Sequence, residues 1–130
     1  MSDLTSKNKA LMRRIYEEMW NRANPSIAAE IFAQPEGVER LVSQFLLSFP
    51  DLRHTINEMI AEDDRVAVRF TADGTHTGQW MHFAPTGKSI HYTGVTLAHI
   101  AGGKIIDNYT WWDKASLIEQ IARENFDQTG

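Results

Sequence analysis

The sequence contains no cysteine, which excludes disulfides, thiolate nucleophiles and cysteine metal ligands. It also has no run of basic residues, and its net charge is −4, so a nucleic-acid partner is not expected. No stretch approaches the roughly 20 apolar residues that span a membrane, and the N-terminus lacks the apolar core of a signal peptide. These absences predict a soluble, cytoplasmic protein without a membrane partner.

Metal-binding patterns are absent as well. The five histidines follow neither an HxH nor an HxxxH spacing, and the acidic residues do not cluster. We therefore expect no metal site and no cofactor. The length of 130 residues fits one domain over residues 1–130, and it is long enough to bury a core.

Helical periodicity is confined to the first part of the chain. Leu11, Ile15 and Met19 recur at four-residue steps and predict a helix from residue 5 to about residues 21–24, before Pro25. A short helix is predicted over residues 26–32, with Ser26 as its cap, and a third over residues 36–49.

After residue 50 the period changes to strict alternation. Strands are predicted over residues 52–57, 65–72, 89–100 and 104–112, with further strand character over 74–78, a loop over 80–87 and a tight turn at residues 102–103. A short helix over residues 117–121 and a polar tail follow. Helices followed by a meander of strands predict an α+β fold, in which the N-terminal helices pack in the concave face of a curved, mixed or antiparallel sheet. Such a fold leaves a cavity at its open end.

Four motifs point to a known family. They are WN at residues 20–21, GTHTG at 74–78, PTGK at 85–88 and GGKIIDNYTWWD at 102–113. With these motifs, the chain resembles the SnoaL-like polyketide cyclases over roughly residues 9–122. The resemblance implies the cone-shaped α+β fold of the nuclear-transport-factor-two-like proteins, and it implies a pocket for a small molecule.

The resemblance also identifies two positions of interest. In these cyclases an aspartate on the last strand acts as acid and base in an intramolecular aldol closure, and a histidine on the preceding strand supports it. Counting from the Gly-Lys of the turn, the aspartate position falls on Thr110 and the histidine position on Thr96. Neither threonine can carry out that proton transfer at neutral pH.

Alternation extends this prediction to a set of cavity residues. If Thr110 faces the cavity, its neighbours at two-residue steps face it too, and the same parity applies to the preceding strand. The first helix contributes two aromatic residues one turn apart, and the resemblance places Trp20 where these cyclases present an aromatic ring to substrate. The predicted substrate-binding residues are Tyr16, Trp20, Tyr92, Thr96, Asn108, Thr110 and Trp112. With Trp80 and Phe83, such a cavity suits a flat, small, apolar or aromatic ligand with a few oxygens.

The remaining titratable residues leave alternatives open. Asp113 either caps the following helix or, after a one-residue register slip, forms a carboxylate–imidazole pair with His99. His76 is predicted to face inward, either as a catalytic proton-transfer group or as a buried histidine that hydrogen-bonds to the backbone. His54 is expected at a partly exposed edge of the core. No aspartate or glutamate at an inward strand position replaces the missing aspartate, and Glu58, which has the matching parity, is the only partial candidate.

Three functions fit these residues. The resemblance favours an enzyme that catalyses aldol-cyclase or isomerase-type proton transfer on a carbonyl compound. The threonines at positions 96 and 110 instead favour a ligand-binding protein without catalysis. Tyr109 and Trp111, on the outer face of the last strand, favour a homodimer through that face, which is compatible with either function and is the basis of a third, purely structural role.

Overall fold

The computed structural model describes residues 3–123, so the ends of the predicted domain over residues 1–130 and most of the predicted polar tail lie outside the described residues. The helices are α1 (Asp3–Arg14), α2 (Ala28–Ile31), α3 (Glu36–Ser48) and α4 (Lys114–Ala122). The strands are β1 (Arg53–Glu62), β2 (Arg65–Thr75), β3 (Ser89–Ala101) and β4 (Lys104–Trp112). They form one antiparallel sheet in the order β1-β2-β3-β4. The predicted α+β fold, with helices against a curved sheet, is confirmed.

The core lies between the sheet and the N-terminal helices. Along β3 buried and exposed residues alternate, because successive side chains point to opposite faces of a strand. The buried face of the sheet packs in one apolar cluster with Met12, Ile15 and Met19 of the first helical segment. The helices thereby cover the concave face, and the opposite face of the sheet remains open to solvent.

The first helical segment changes from an α-helix to a π-helix before it ends. After α1 the chain continues as a π-helical turn over Ile15–Trp20, and the wider turn is visible in the bonds from Asn21 N to Tyr16 O and from Asn24 N to Met19 O, at 3.0 and 2.9 Å. Single π-helical turns are frequent at functional sites. Here the turn carries Tyr16 and Trp20, which both face the interior cavity.

The predicted second helix is wrong in its first half. Pro25–Ile27 forms a 3₁₀ turn, and only Ala28–Ile31 is α-helical. Ser26 does not cap this helix, because its hydroxyl donates instead to Asn24 Oδ1, at 2.7 Å. A proline at the first position fixes the local backbone and favours the tighter turn.

A β-bulge in the first strand overturns the prediction for Glu58. The register of β1 against β2 shifts between Ile56 and Glu58, so that Asn57 is an extra residue. An extra residue reverses the facing of everything that follows in a strand. Met59 therefore packs against the core, whereas Glu58 points outward and lies 3.4 Å from the guanidinium of Arg69.

The GTHTG motif is not a continuous strand. β2 ends at Thr75, and the amides of Thr77 and Gly78 turn away to donate to Ser48 O, at 3.1 and 3.0 Å. At Gly78 the backbone passes so close to α3 that a Cβ would lie 1.9 Å from Leu47 O. The glycine is thus required by a close approach of two backbones.

The lysine of the PTGK motif connects this region to the last helix. Lys88 Nζ donates to the carbonyls of Ile121, at 3.0 Å, and of Arg123 at the end of α4. A cation at a helix C-terminus satisfies free carbonyls and opposes the negative end of the helix dipole. Within residues 3–123, no helix has the length and apolar character needed to cross a membrane.

Candidate functional site

A cavity of about 480 Å³ lies between the concave face of the sheet and the helices. All seven predicted substrate-binding residues line it, together with others from α1, α3 and the sheet; the lining residues are Ile15, Tyr16, Met19, Trp20, Phe32, Val38, Leu41, Val42, Phe45, His54, Phe70, Trp80, Met81, Tyr92, Thr96, Asn108, Thr110, Trp112 and Lys114. The exposed members, Leu41, Met81, Asn108, Thr110 and Lys114, mark its mouth. The buried members form its floor and walls.

Two hydroxyl groups meet on the cavity wall. Thr96 and Thr110 are direct partners in the pairing of β3 with β4, and their Oγ1 atoms are 2.8 Å apart. Burial raises the pKa of Tyr16 to about 12, and a hydrogen bond with the Thr96 side chain opposes this shift. The three residues therefore present neutral hydroxyls, which can donate to an oxygen or accept from one.

The register of β4 decides between the two interpretations of Asp113. Asp113 Oδ1 accepts from Ser116 N at 3.0 Å and caps α4, which confirms the capping interpretation. The alternative pair with His99 is wrong, because His99 Nε2 lies 2.7 Å from Asp64 Oδ2 on the outer side of the sheet. A bulge does occur in β4, but it lies near the turn, between the pairs at His99 and Ile100, and leaves Thr110 opposite Thr96.

Aromatic rings form most of the remaining wall. Trp20 meets Phe45 edge to face with ring centroids 5.9 Å apart, and Tyr92 packs against Trp112 at 4.9 Å. Trp80 also lines the cavity. Phe83 stacks on Trp80 at 6.2 Å but is not among the described residues that line the cavity. Aromatic walls of this kind favour a planar, apolar ligand.

His54 differs from its prediction. It is not at a partly exposed edge but is 6% exposed and lines the cavity. The nearest aromatic rings belong to Trp20 and Phe70, with centroids 4.8 and 5.3 Å from the imidazole. Burial lowers the pKa of His54 to about 3, so the ring is neutral near neutral pH. Its Nδ1 is buried and has no hydrogen-bond partner in the described part of the chain.

The asparagine of the WN motif holds the backbone of His54 in place. His54 N donates to Asn21 Oδ1 at 2.7 Å, and Asn21 Nδ2 donates to His54 O at 2.9 Å. This pair of bonds joins the end of the first helical segment to the start of β1. The imidazole is thereby positioned by two rigid elements and not by a loop.

His76 is fully buried, but it is not among the described cavity-lining residues. Its Nδ1 lies 2.9 Å from Thr86 Oγ1 and accepts from Thr86 N at 3.3 Å. Its backbone pairs with Lys88 and Gly87, and its ring packs against Phe49, with centroids 5.5 Å apart. This geometry matches the second interpretation of His76, in which a buried histidine hydrogen-bonds to the backbone, here to Thr86 N in the loop that follows β2.

These features coincide with a sequence match. A family model described as SnoaL-like polyketide cyclase matches residues 10–121. The chain belongs to this family. Among curated proteins, no sequence matches it.

Solved structures share the fold of this SnoaL-like protein. A proposed SnoaL-like polyketide cyclase from Jannaschia sp. CCS1 has a TM-score of 0.88 at 18% identity, over 96% of this chain and 98% of that one. TsrD from Streptomyces laurentii has a TM-score of 0.84 at 16% identity, over 94% and 98%. AclR, a proposed hydroxylase from Streptomyces galilaeus, has a TM-score of 0.83 at 24% identity, over 96% and 88%. At these identities the likeness establishes the fold alone.

The sequence did not predict that His54 lines the cavity of this SnoaL-like protein. One signal in the sequence pointed to it, because His54 alternates with Ile56 on the inner face of β1. Alternation does not give the depth of a residue within the cavity. Among the described residues, no cluster of three or more histidine, aspartate or glutamate side chains is arranged to hold a metal ion.

Proposed function

We propose that this SnoaL-like protein binds a flat, mostly apolar carbonyl compound in its cavity and acts on it by proton transfer, in an aldol-cyclase or isomerase type of reaction. The observation that carries the proposal is the pair of hydroxyls at Thr96 and Thr110, 2.8 Å apart, in an aromatic cavity. A threonine hydroxyl can donate to a carbonyl oxygen, and this bond strengthens as the oxygen gains negative charge.

The charges of the lining residues also indicate that the ligand is uncharged at its inner end. Among the described lining residues, Lys114 at the mouth is the only one that carries a full charge when His54 is neutral. An anionic group deep in the cavity would lose its hydration without a cationic partner, which costs several kcal/mol. The inner end of the ligand is therefore uncharged, and any acidic group lies toward Lys114.

Ligand binding can be tested with β-tetralone, a flat bicyclic ketone. Quenching of tryptophan fluorescence reports on the cavity, because Trp20, Trp80 and Trp112 line it. The variant Thr110→Val keeps the shape of the side chain but loses the hydroxyl, and we expect about a three- to tenfold weaker affinity from one lost hydrogen bond.

The matched control for this variant is Thr93→Val, on the exposed face of β3. It should bind β-tetralone like the wild type. Equal affinities of the two valine variants would remove the hydroxyl pair from the ligand site, and a wild type that shows no saturable quenching would contradict the proposed function.

We also propose that the protein is a homodimer through the outer face of the sheet. Trp111 and Tyr109 are 61% and 58% exposed and stack with centroids 6.1 Å apart. Their partners across the β3–β4 ladder are Val95 and Leu97, which are exposed as well. These four residues form the outer apolar patch. A flat patch of this kind, continuous over two strands, is suited to packing against a second copy of itself.

A further inference from the structure

We infer that His54 is the proton-transfer residue of this cavity, an assignment that rests on the proposed function. In the family pattern that the sequence resembles, an aspartate and a histidine occupy the positions of Thr110 and Thr96, and neither threonine can accept a proton at neutral pH. Among the described lining residues there is no carboxylate. The titratable groups are Tyr16, His54, Tyr92 and Lys114.

The geometry of His54 is that of a group prepared for a ligand. Buried imidazoles normally hydrogen-bond to the protein or to ordered water. His54 is 6% exposed, and its Nδ1 has no partner among the described residues. Its backbone is fixed on both sides by Asn21. Because Nδ1 is itself buried, a bound ligand would contact the imidazole through the part of the ring that lines the cavity.

Charge states support His54 as the base. Burial lowers the pKa of His54 and raises those of Tyr16 and Tyr92, the two titratable residues that pack against it, so all three are neutral near neutral pH. A neutral imidazole has a free lone pair for a proton, whereas a neutral tyrosine hydroxyl is a donor and a weak base. Of these three neutral groups, His54 is the one with a ring-nitrogen lone pair that can accept a proton.

The step balances without an additional reactant. A proton leaves the carbon next to a ligand carbonyl and binds to the imidazole, and the C–H electron pair becomes part of an enolate. The enolate oxygen accepts a hydrogen bond from whichever hydroxyl of Thr96 and Thr110 is not donating to the other. The imidazolium then returns the proton to carbon or to the new alkoxide oxygen after ring closure. Attraction between the imidazolium and the enolate in the water-poor cavity offsets the desolvation cost of protonating the buried His54.

The experiment measures proton abstraction and binding separately. Exchange of the acidic methylene protons of β-tetralone in deuterated water is followed by NMR, with the solvent background subtracted, and affinity is followed by tryptophan quenching. His54→Phe keeps an aromatic ring in the cavity, so we expect binding within a few-fold of wild type. Exchange should fall by about a hundredfold or more, as for loss of a general base.

His91→Phe is the matched control, because His91 lies on the outer face with 56% of its side chain exposed. It should exchange and bind like the wild type. If His54→Phe exchanges at the wild-type rate, or if the wild type binds β-tetralone without exchanging it, the assignment of His54 is wrong while the cavity remains a binding site. If the wild type does not bind β-tetralone, the proposed function fails, and the assignment fails with it.

A measurement on the wild type keeps the assignment testable even if His54→Phe does not fold. Because His54 is neutral above pH about 3, the catalysed exchange rate should be flat between about pH 5 and pH 8. A rate that falls with a midpoint near pH 6.5, the ordinary value for histidine, would show that the base does not titrate like the buried, neutral His54 described above and would overturn the proposal.

Discussion

His54 and His76 are both buried, yet their surroundings give them different roles. His76 Nδ1 has a partner in Thr86, and the backbone of His76 pairs with the loop it organises. His54 Nδ1 has none in the described residues, and its ring is enclosed by aromatic side chains along the cavity. Each ring has one buried nitrogen without a partner among the described residues, Nδ1 of His54 and Nε2 of His76. The two histidines therefore differ in their place, because only His54 lines the cavity.

The low pKa of His54 should make stability depend on pH. The unfolded histidine binds a proton below about pH 6.5, whereas the folded one stays neutral down to about pH 3. The stability that neutral His54 provides is therefore complete above pH 6.5 and is lost as the pH falls through this window. From pH 7 to pH 5 we expect a loss of about 2 kcal/mol in the free energy of unfolding from this residue.

Urea denaturation at both pH values checks this expectation. His54→Phe should lose about 2 kcal/mol less than wild type over the same interval, because phenylalanine has no proton to bind. Parallel pH dependences of the two proteins would show that His54 is equally easy to protonate in the folded and unfolded chain.

For individual residues, the sequence predicted which side chains face the cavity better than how deeply they are buried in it. Thr96 and Thr110 follow from the positions that the family resemblance identifies, and Asn108 and Trp112 follow from Thr110 by alternation. Alternation tells which face a residue occupies, but not whether that face is open or closed by another element. The aromatic residues that enclose His54 come from the first helical segment, β2 and β3, so its burial depends on packing between distant segments.

Among the strands, β3 contains a position where only glycine fits. A Cβ at Gly94 would lie 2.5 Å from Phe70 Cζ and 2.9 Å from Trp111 O. Gly94→Ala should therefore displace the Phe70 ring and destabilise the protein by about 1–3 kcal/mol, the usual cost of overpacking. A thermal melt measures this change.

The matched control is Gly37→Ala in α3, where an added Cβ meets nothing within 4 Å. Alanine is the better helix former by about 0.8–1.0 kcal/mol, so this variant should melt at a higher temperature than wild type. Two alanine variants that shift the melting temperature in the same direction would contradict the packing at Gly94.

Element boundaries were predictable where the cause is local. Asp113 caps α4 through its own side chain, and the sequence is sufficient to identify it. The π-helical turn at Ile15–Trp20 and the bulge at Asn57 are different. Both insert one residue into a regular pattern, and both depend on packing against other elements, so periodicity alone did not predict them.

The whole molecule should associate through the outer apolar patch. We expect sedimentation to give a dimer for the wild type and a monomer for Trp111→Lys, because a central tryptophan contributes about 2 kcal/mol or more to an interface and a buried, unpaired lysine opposes association. Leu47→Lys is the control. Leu47 is 73% exposed on α3, away from the patch, and its variant should remain a dimer.

A wild type that sediments as a monomer at micromolar concentration would exclude this interface.

The overall architecture of the molecule was its most predictable feature, because helical and alternating periods occupy separate parts of the sequence and the Gly102–Gly103 turn sets the hairpin. The choice of the outer face as the proposed interface followed from Tyr109 and Trp111, since their parity excludes them from the cavity.

The two bonds between Asn21 and His54 have a consequence for how long a ligand can be. They fix the backbone of His54, one of the buried lining residues, whereas Asn108, Thr110 and Lys114 are exposed at the mouth. Under the proposed function, a ligand whose leading ring lies against His54 extends toward Lys114 and into water. We therefore expect compounds that share this ring and differ in the length of the chain behind it to bind with similar affinity.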